Sequence, residues 1–344
     1  MLPWKTSPRV SLLSLLPMQT TSAVVGVDVS KATLAVCHQP GPSPQHLDVP
    51  NTPAGFRELV RRCGVRSLYV LEATGTYYLA LAYHLVAAGA EVAVLNPIVV
   101  RRFIQMHLGK GKSDRKDAQW LWRFGQQQAT PRWQPEEAAL VECRQLQQAA
   151  ELLIRQQTMV SNALEALLHQ PLVCAEARRQ LQLTRRRLDE QVQRIEAELL
   201  TRIEQRYAAE MPLLCSIPGI GRKTAALLLL FAGGFTRLNN HRQLIAKAGL
   251  CPHEYTSGTS VRGQTRITKT GGNLVRSKLY LCSWSACRAN AACKALYQRL
   301  VAKGKHKKLA LIAVCNKLLK QAFAIVKSGV AYQPDFAQKA LHMT

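Results

Sequence analysis

Acids are scarce in this chain. Of its 344 residues, 21 are Asp or Glu and 46 are Lys or Arg, a formal net charge of +25. Such an excess does not specify a fold, but it points to an anionic polymer as partner. Long uncharged apolar runs are also missing, so nothing reads as a bilayer-spanning segment and no membrane is expected. The ten cysteines include no Cys-x-x-Cys pair, and the closest set, Cys282, Cys287 and Cys293, fits no common zinc spacing. Reduced, buried thiols in a cytoplasmic protein are the expectation. Near the N-terminus two basic residues precede a short apolar patch, but Pro17 breaks it and no clear small-residue cleavage site follows. Residues 1–22 therefore read as a loose extension rather than a signal peptide. What is present is apolar bulk: 47% of the residues are hydrophobic, enough for a globular core in two or three domains.

AVVGVDVSKATLAV (23–36) reads as two short strands joined by a turn, with Asp28 inside the first. PNTPAGFRELVRRCG is a turn leading into a helix. SLYVLEAT is an apolar strand with Glu72 near its C-terminal end. TYYLALAYHLVAAG is a helix ended by Gly89, and EVAVLNP is a strand stopped by Pro97. A basic helical stretch follows, containing KSDRKDA. Strands alternating with helices imply an α/β sheet over about 23–130. From Glu136 to Tyr207 glycine vanishes, and Leu181, Leu188, Val192, Ile195, Leu199 and Ile203 recur at helical spacing. Pro171 interrupts the middle. Residues 131–211 thus read as two long helices folded back on each other, or as a coiled coil and dimerisation segment. The remainder, 212–344, reads as mostly helical.

Three landmarks mark that last part. In LLCSIPGIGRKTAALLLL a helix ends at a Pro-Gly-Ile-Gly turn and another begins. Gly219 and Gly221, followed by Arg222 and Lys223, resemble a helix-hairpin-helix in which backbone amides hold a phosphate. The alternative is a plain helical corner. A polar, glycine-rich segment then carries Arg262, Arg266 and Lys269. Last, KGKHKKLALIAVCNKLLKQAF is a basic run leading into a helix, ordinarily a solvated face.

Four acids stand out: Asp28, Glu72, Asp114 and Asp117. Singly, each has a plain structural role: a turn cap, an arginine's partner, or a first-turn helix acid. Together, acids at strand ends and on an adjoining helix make a set of hard oxygen donors suited to Mg²⁺. Two such ions ~3.5–4 Å apart serve phosphodiester chemistry. Lys110, Lys112, Arg115 and Lys116 surround the last two acids and read as nucleic-acid contacts.

VVGVDVSK, LEATGTY, NPIVVRRF and GKSDRKDA resemble the N-terminal domain of the IS110 family of insertion-sequence transposases, relatives of the Piv DNA invertases. SIPGIGRKTAA and GLCPHEYTSG with RITKTGGNLVR resemble that family's C-terminal transposase domain. The resemblance implies an RNase H-like, RuvC-like first domain whose D-E-D-D acids are Asp28, Glu72, Asp114 and Asp117, with Mg²⁺, or Mn²⁺ in its place. It implies a catalytic serine, best matched by Ser257, with Ser260 as runner-up; Thr256 stands where the family often has a first serine. It further implies DNA donor and target substrates, a structured guide (bridge) RNA, and a tetramer built as a dimer of dimers. Two other readings stay open: a junction nuclease using the acids without a covalent intermediate, and a non-catalytic nucleic-acid-binding protein. Piv-like inversion shares the chemistry of the first reading.

Overall fold

The computed structural model describes residues 23–109, 111, 113–253, 256–257, 261–262 and 266–334. The chain divides into two compact units, Met1–Glu136 and Glu137–Thr344.

The first unit starts with the expected hairpin, β1 (Val24–Val29) and β2 (Thr33–His38), paired antiparallel. Ser30 closes it: its amide and its hydroxyl each donate to the Thr33 carbonyl at 2.9 Å. A third strand, β3 (Gln45–Pro50), extends the hairpin. The sequence reading lacked it because only Val49 in QHLDVP is buried, so no apolar alternation marks the strand. It is an edge strand, where a terminal Pro is tolerated.

Helix α1 (Pro53–Cys63) has Thr52 as its cap, the hydroxyl accepting from the Gly55 amide at 3.4 Å, and a proline in its first turn. Then follow β4 (Leu68–Glu72), α2 (Tyr78–Ala87), β5 (Glu91–Leu95), α3 (Pro97–Met106) and α4 (Asp114–Gln127). The sheet order is β3-β2-β1-β4-β5, with β1, β4 and β5 mutually parallel. Alternation along the strands separates two cores. Val25, Val27, Tyr69 and Leu71 pack against Phe56 and Leu59 of α1 and Leu81 and Leu85 of α2. On the other face Leu68 and Val70 meet Phe103 of α3 and Leu121 and Phe124 of α4. The result is a three-layered α/β unit. Residues 131–136, expected in the next segment, are tied to this sheet: the Trp133 amide donates to the Val92 carbonyl at 2.7 Å, and Arg132 pairs with Glu91.

The second unit opens with α5 (Ala138–Leu168) and α6 (Ala175–Arg206), which fold back on each other within one chain around Pro171. Glu137–Arg206, Glu142–Arg202 and Gln157–Asp189 contacts show the antiparallel run, because one partner's number falls as the other's rises. The hairpin belongs to the same unit as the rest of the C-terminal half: α7 (Glu210–Cys215), α8 (Arg222–Ala232), α9 (His241–Lys247), α10 (Asn273–Ala289), α11 (Ala291–Ala302) and α12 (Lys307–Ser328). Between α9 and α10 the described residues form four two-residue strands: β6 (Pro252–His253), β7 (Thr256–Ser257), β8 (Val261–Arg262) and β9 (Arg266–Ile267). β6 pairs with β9 and β7 with β8. Leu214, Ile217, Leu228, Phe235, Leu244, Leu279 and Leu318 form the core. Among the described residues one helix, α12, is long and apolar enough to cross a membrane, a candidate the sequence reading did not register. Its buried stripe, including Val314, Leu318 and Ala322, is part of that core.

Candidate functional site

Asp28 and Glu72 are set by strand register. Val27 of β1 faces Leu71 of β4 in parallel pairing. The next residue on each strand is an acid, so both carboxylates leave the sheet on one face, opposite to Val27 and Leu71. That face is the one covered by α4. Both residues are half-buried, and Glu72 ends its strand. The Thr74 hydroxyl donates to Glu72 Oε1 at 2.7 Å and holds that carboxylate at the strand end.

The helix that carries the other two acids is positioned by a glycine. A Cβ on Gly26 would lie 2.2 Å from the Ala118 carbonyl oxygen and 2.2 Å from the Trp122 amide nitrogen, so α4 rests directly on the backbone of β1. A Cβ on Gly125 would meet Val24 and Val70 at 2.7 and 2.6 Å. Helix position 125 thus sits over strand position 24, and positions 118–122 over position 26. The helix runs opposite to β1, which brings its first turn toward Asp28. Asp114 and Asp117 begin the stripe that continues through Ala118, Leu121 and Phe124, spaced three and four residues apart and facing the sheet. Asp117 is half-buried on this sheet-facing stripe, and Asp114, at the helix start, is exposed. Ser113 caps the helix, its hydroxyl accepting from the Lys116 amide at 3.3 Å. Gly26 and Thr74 escaped the sequence reading. A glycine inside a strand was the available signal, since it marks close backbone approach.

Register and packing bring the four acids to one end of the sheet. They are not closed into a ligand cage: among the described residues no three His, Cys, Asp or Glu side chains are grouped to hold a metal ion. Asp28 and Asp117 each have a partner already. Of the surrounding cations, Lys110 and Lys112 lie outside the described residues. Arg115 pairs with Asp48 of β3 at 3.0 Å, and Lys116 is exposed.

In the second unit the Pro-Gly-Ile-Gly turn joins α7 to α8 as expected, but its parts do different work. Gly219 has φ 103°, and a Cβ there would lie 2.8–2.9 Å from Ala286 of α10. It is needed for packing. Gly221 is exposed, with nothing within 4 Å of a Cβ, at the N-terminus of α8. Arg222 donates to Glu204 at 2.6 and 2.8 Å, and Lys223 to Glu196 at 2.6 Å. Both cations beside the turn are thus matched by carboxylates of α6.

Ser257 lies in β7, paired with Val261, and Arg262 in β8, paired with Thr256. Ser260 lies outside the described residues. Arg266 is exposed in β9, and Lys269 is exposed with φ 56°. The base of this segment is clamped. The Lys269 amide donates to the Gly249 carbonyl and the Thr268 amide to the Cys251 carbonyl, both at 3.0 Å. Arg276 of α10 donates to the carbonyls of Ala248, at 2.9 Å, and Gly271. One nitrogen, Nη1, makes both bonds, a role that the sequence reading missed. Four of the cysteines carry no comparable chemistry: burial pushes the Cys37 thiol up to about 11 and those of Cys63, Cys293 and Cys315 up to about 12. Thiols so protonated are poor nucleophiles at neutral pH.

Compared with known proteins, residues 25–172 match the model of the DEDD domain of IS110 elements, described as Transposase. Residues 211–298 match a second model, described as Transposase IS116/IS110/IS902 family. The chain belongs to the IS110 family of transposases. This IS110-family chain is 28% identical over 313 residues to the pilin gene-inverting protein of Moraxella bovis, covering 89% of the chain and 96% of that relative. It is 30% identical over 144 residues to the insertion element IS110 uncharacterized 43.6 kDa protein of Streptomyces coelicolor, covering 42% of the chain and 35% of the relative. The first family model spans all four acids, and the second spans Gly219 through Arg276, including Ser257.

Proposed function

We propose that this transposase cuts and rejoins DNA with two sets of groups, the acids Asp28, Glu72, Asp114 and Asp117 and the hydroxyl of Ser257. The observation that carries the reading is the seating of α4 on Gly26, which sets the Asp114–Asp117 turn toward the strand ends that bear Asp28 and Glu72. The first unit then reads as RNase H-like, supported by its mixed five-stranded sheet with acids on two adjacent parallel strands.

The four carboxylates are the residues that would hold Mg²⁺, and hard oxygen donors fit that ion. Because they are not grouped as a cage, loading would draw the side chains together. When bound, the ions would polarise the scissile phosphate and offset charge on the departing oxygen. In the covalent step the Ser257 oxygen forms a bond to phosphorus while one P–O bond to a deoxyribose breaks. The serine proton is lost to solvent or base, and the departing sugar oxygen is protonated. Attack by a sugar hydroxyl on the Ser257 phosphodiester reverses the process and rejoins the strand. Arg262, Arg266 and Lys269 share the segment with Ser257 and would stabilise charge on the phosphoryl oxygens.

The reading includes a structured guide RNA that selects donor and target by base pairing, and assembly as a dimer of dimers. The net charge of +25 supports the binding of two polyanions. Site-specific inversion is the second reading, favoured by the near full-length match to the pilin gene-inverting protein. It changes the substrate and keeps the chemistry.

The test is a denaturing-gel assay of the protein expressed with its native flanking DNA, incubated with donor and target DNA and Mg²⁺. A Mg²⁺-dependent protein–DNA adduct, lost in Ser257→Ala, is the expected result. Cut DNA without an adduct, still produced by Ser257→Ala, would instead identify a junction-type nuclease. An adduct kept by Ser257→Ala and lost in Ser260→Ala would move the nucleophile.

A further inference from the structure

We propose that the groove between α11 and α12 seats the sugar–phosphate backbone of duplex DNA, a surface to which neither the acids nor the serine segment contributes. The proposal rests on the reading of the protein as DNA-acting and extends it to a specific contact face. The groove has a volume of about 560 Å³. From α11 it takes Ala292, Ala295, Leu296 and Arg299, and from α12 Ala313, Asn316, Lys317 and Lys320. Each set steps by three and four residues, so each helix presents one stripe to the groove. The alanines keep the floor low, and Arg299, Lys317 and Lys320 supply its charge.

These three cations differ from several others of the second unit. Arg202, Arg206, Arg222 and Lys223 all have carboxylate partners from α5 or α6. The side chains of Arg299, Lys317 and Lys320 make no ion pair or hydrogen bond among the described residues. The local sequence explains this: between Met211 and Gln333 the only acid is Glu254. A groove lined by three cations without internal counterions attracts a polyanion. The stripe from Ala292 to Arg299 rises about 10 Å. That is longer than a single phosphate group, as an extended polyanion requires. The length along the helices fits a strand better than a free anion.

The test is fluorescence anisotropy of a labelled random-sequence duplex against the full chain, titrated with KCl. The wild type should bind with a steep salt slope; a wild type that does not bind would sink the DNA-acting reading itself. Arg299→Ala, Lys317→Ala and Lys320→Ala combined should lower the slope by about 2.7, three contacts at about 0.9 each. At 0.1 M salt that is a loss of several hundredfold in affinity. The charge-keeping set Arg299→Lys, Lys317→Arg and Lys320→Arg should retain most of the slope, which separates lost contacts from lost folding. An equal charge loss on the exposed run Arg185–Arg187 of α6, each changed to Ala, should cost much less. An unchanged slope in the groove triple, or an equal drop in the α6 triple, overturns the proposal while leaving the DNA-acting reading intact. So does a triple that keeps duplex binding and loses only a structured RNA hairpin, since the groove would then belong to RNA.

Discussion

Gly26 and Asp117 show two kinds of dependence on a single residue. At Gly26 the constraint is steric. A methyl group 2.2 Å from two backbone atoms of α4 has no flexible side chain to displace, so the helix itself must shift. Overpacking of this kind costs about 1–3 kcal/mol, with the upper end expected where backbone must move. Gly26→Ala should therefore lower the melting temperature and reduce DNA cleavage together. Full activity in that variant would show that the seating of α4 is not critical. At Asp117 the constraint is chemical. Asp117→Asn keeps size and helix position but removes a charge, so cleavage should fall to background while the melting curve and DNA affinity stay near wild type. Equal loss of cleavage and folding would identify Asp117 as structural.

Among the elements, the turn between α7 and α8 gives the sharpest contrast. Gly219 and Gly221 look equivalent in Pro-Gly-Ile-Gly, yet only Gly219 combines a left-handed φ with backbone pressed against α10. Gly219→Ala should destabilise the second unit by roughly 1–3 kcal/mol in a denaturant titration. Gly221→Ala, at φ −89° and in open space, should leave stability within about 0.5 kcal/mol. If the turn holds phosphate, its cations must first leave Glu204 and Glu196. Exposed pairs of this type are worth about 1 kcal/mol or less, so they lower affinity without blocking it. Glu196→Gln with Glu204→Gln should then strengthen duplex binding severalfold, whereas unchanged binding would mark the turn as a plain corner. The α5–α6 hairpin follows another logic: its ion pairs align two helices whose register is otherwise set by the apolar stripe through Leu188, Val192 and Ile203.

At the scale of the whole molecule the governing quantity is charge. A protein with +25 should bind DNA with an affinity that falls steeply with salt through counterion release. A plot of log affinity against log salt with a slope near zero would be incompatible with a phosphate-dominated interface. Acids are also unevenly placed. They are spread through the first unit and the α5–α6 hairpin and nearly vanish after Met211, so hairpin cations such as Arg202 and Arg206 have carboxylates within reach, while Arg299, Lys317 and Lys320 pair with none among the described residues.

The sequence by itself determined the alternation of strands and helices in the first unit, the two long glycine-free helices and the overall charge. Each is a local or additive property, carried by apolar spacing, breakers at Gly89 and Pro97, and residue counts. The exposed edge strand β3 was illegible because a mostly solvated strand leaves no alternation to read. Only the tertiary structure decided that Asp28 and Glu72 share one face, because that depends on the parallel register of strands separated by a helix. It alone showed that Gly26 lets α4 rest on β1, that Gly219 serves packing, and that Arg276 clamps the serine segment. It also separated cations with carboxylate partners from those without. These are contacts between residues far apart in the chain, and their chemistry exists only once folding has set the distances.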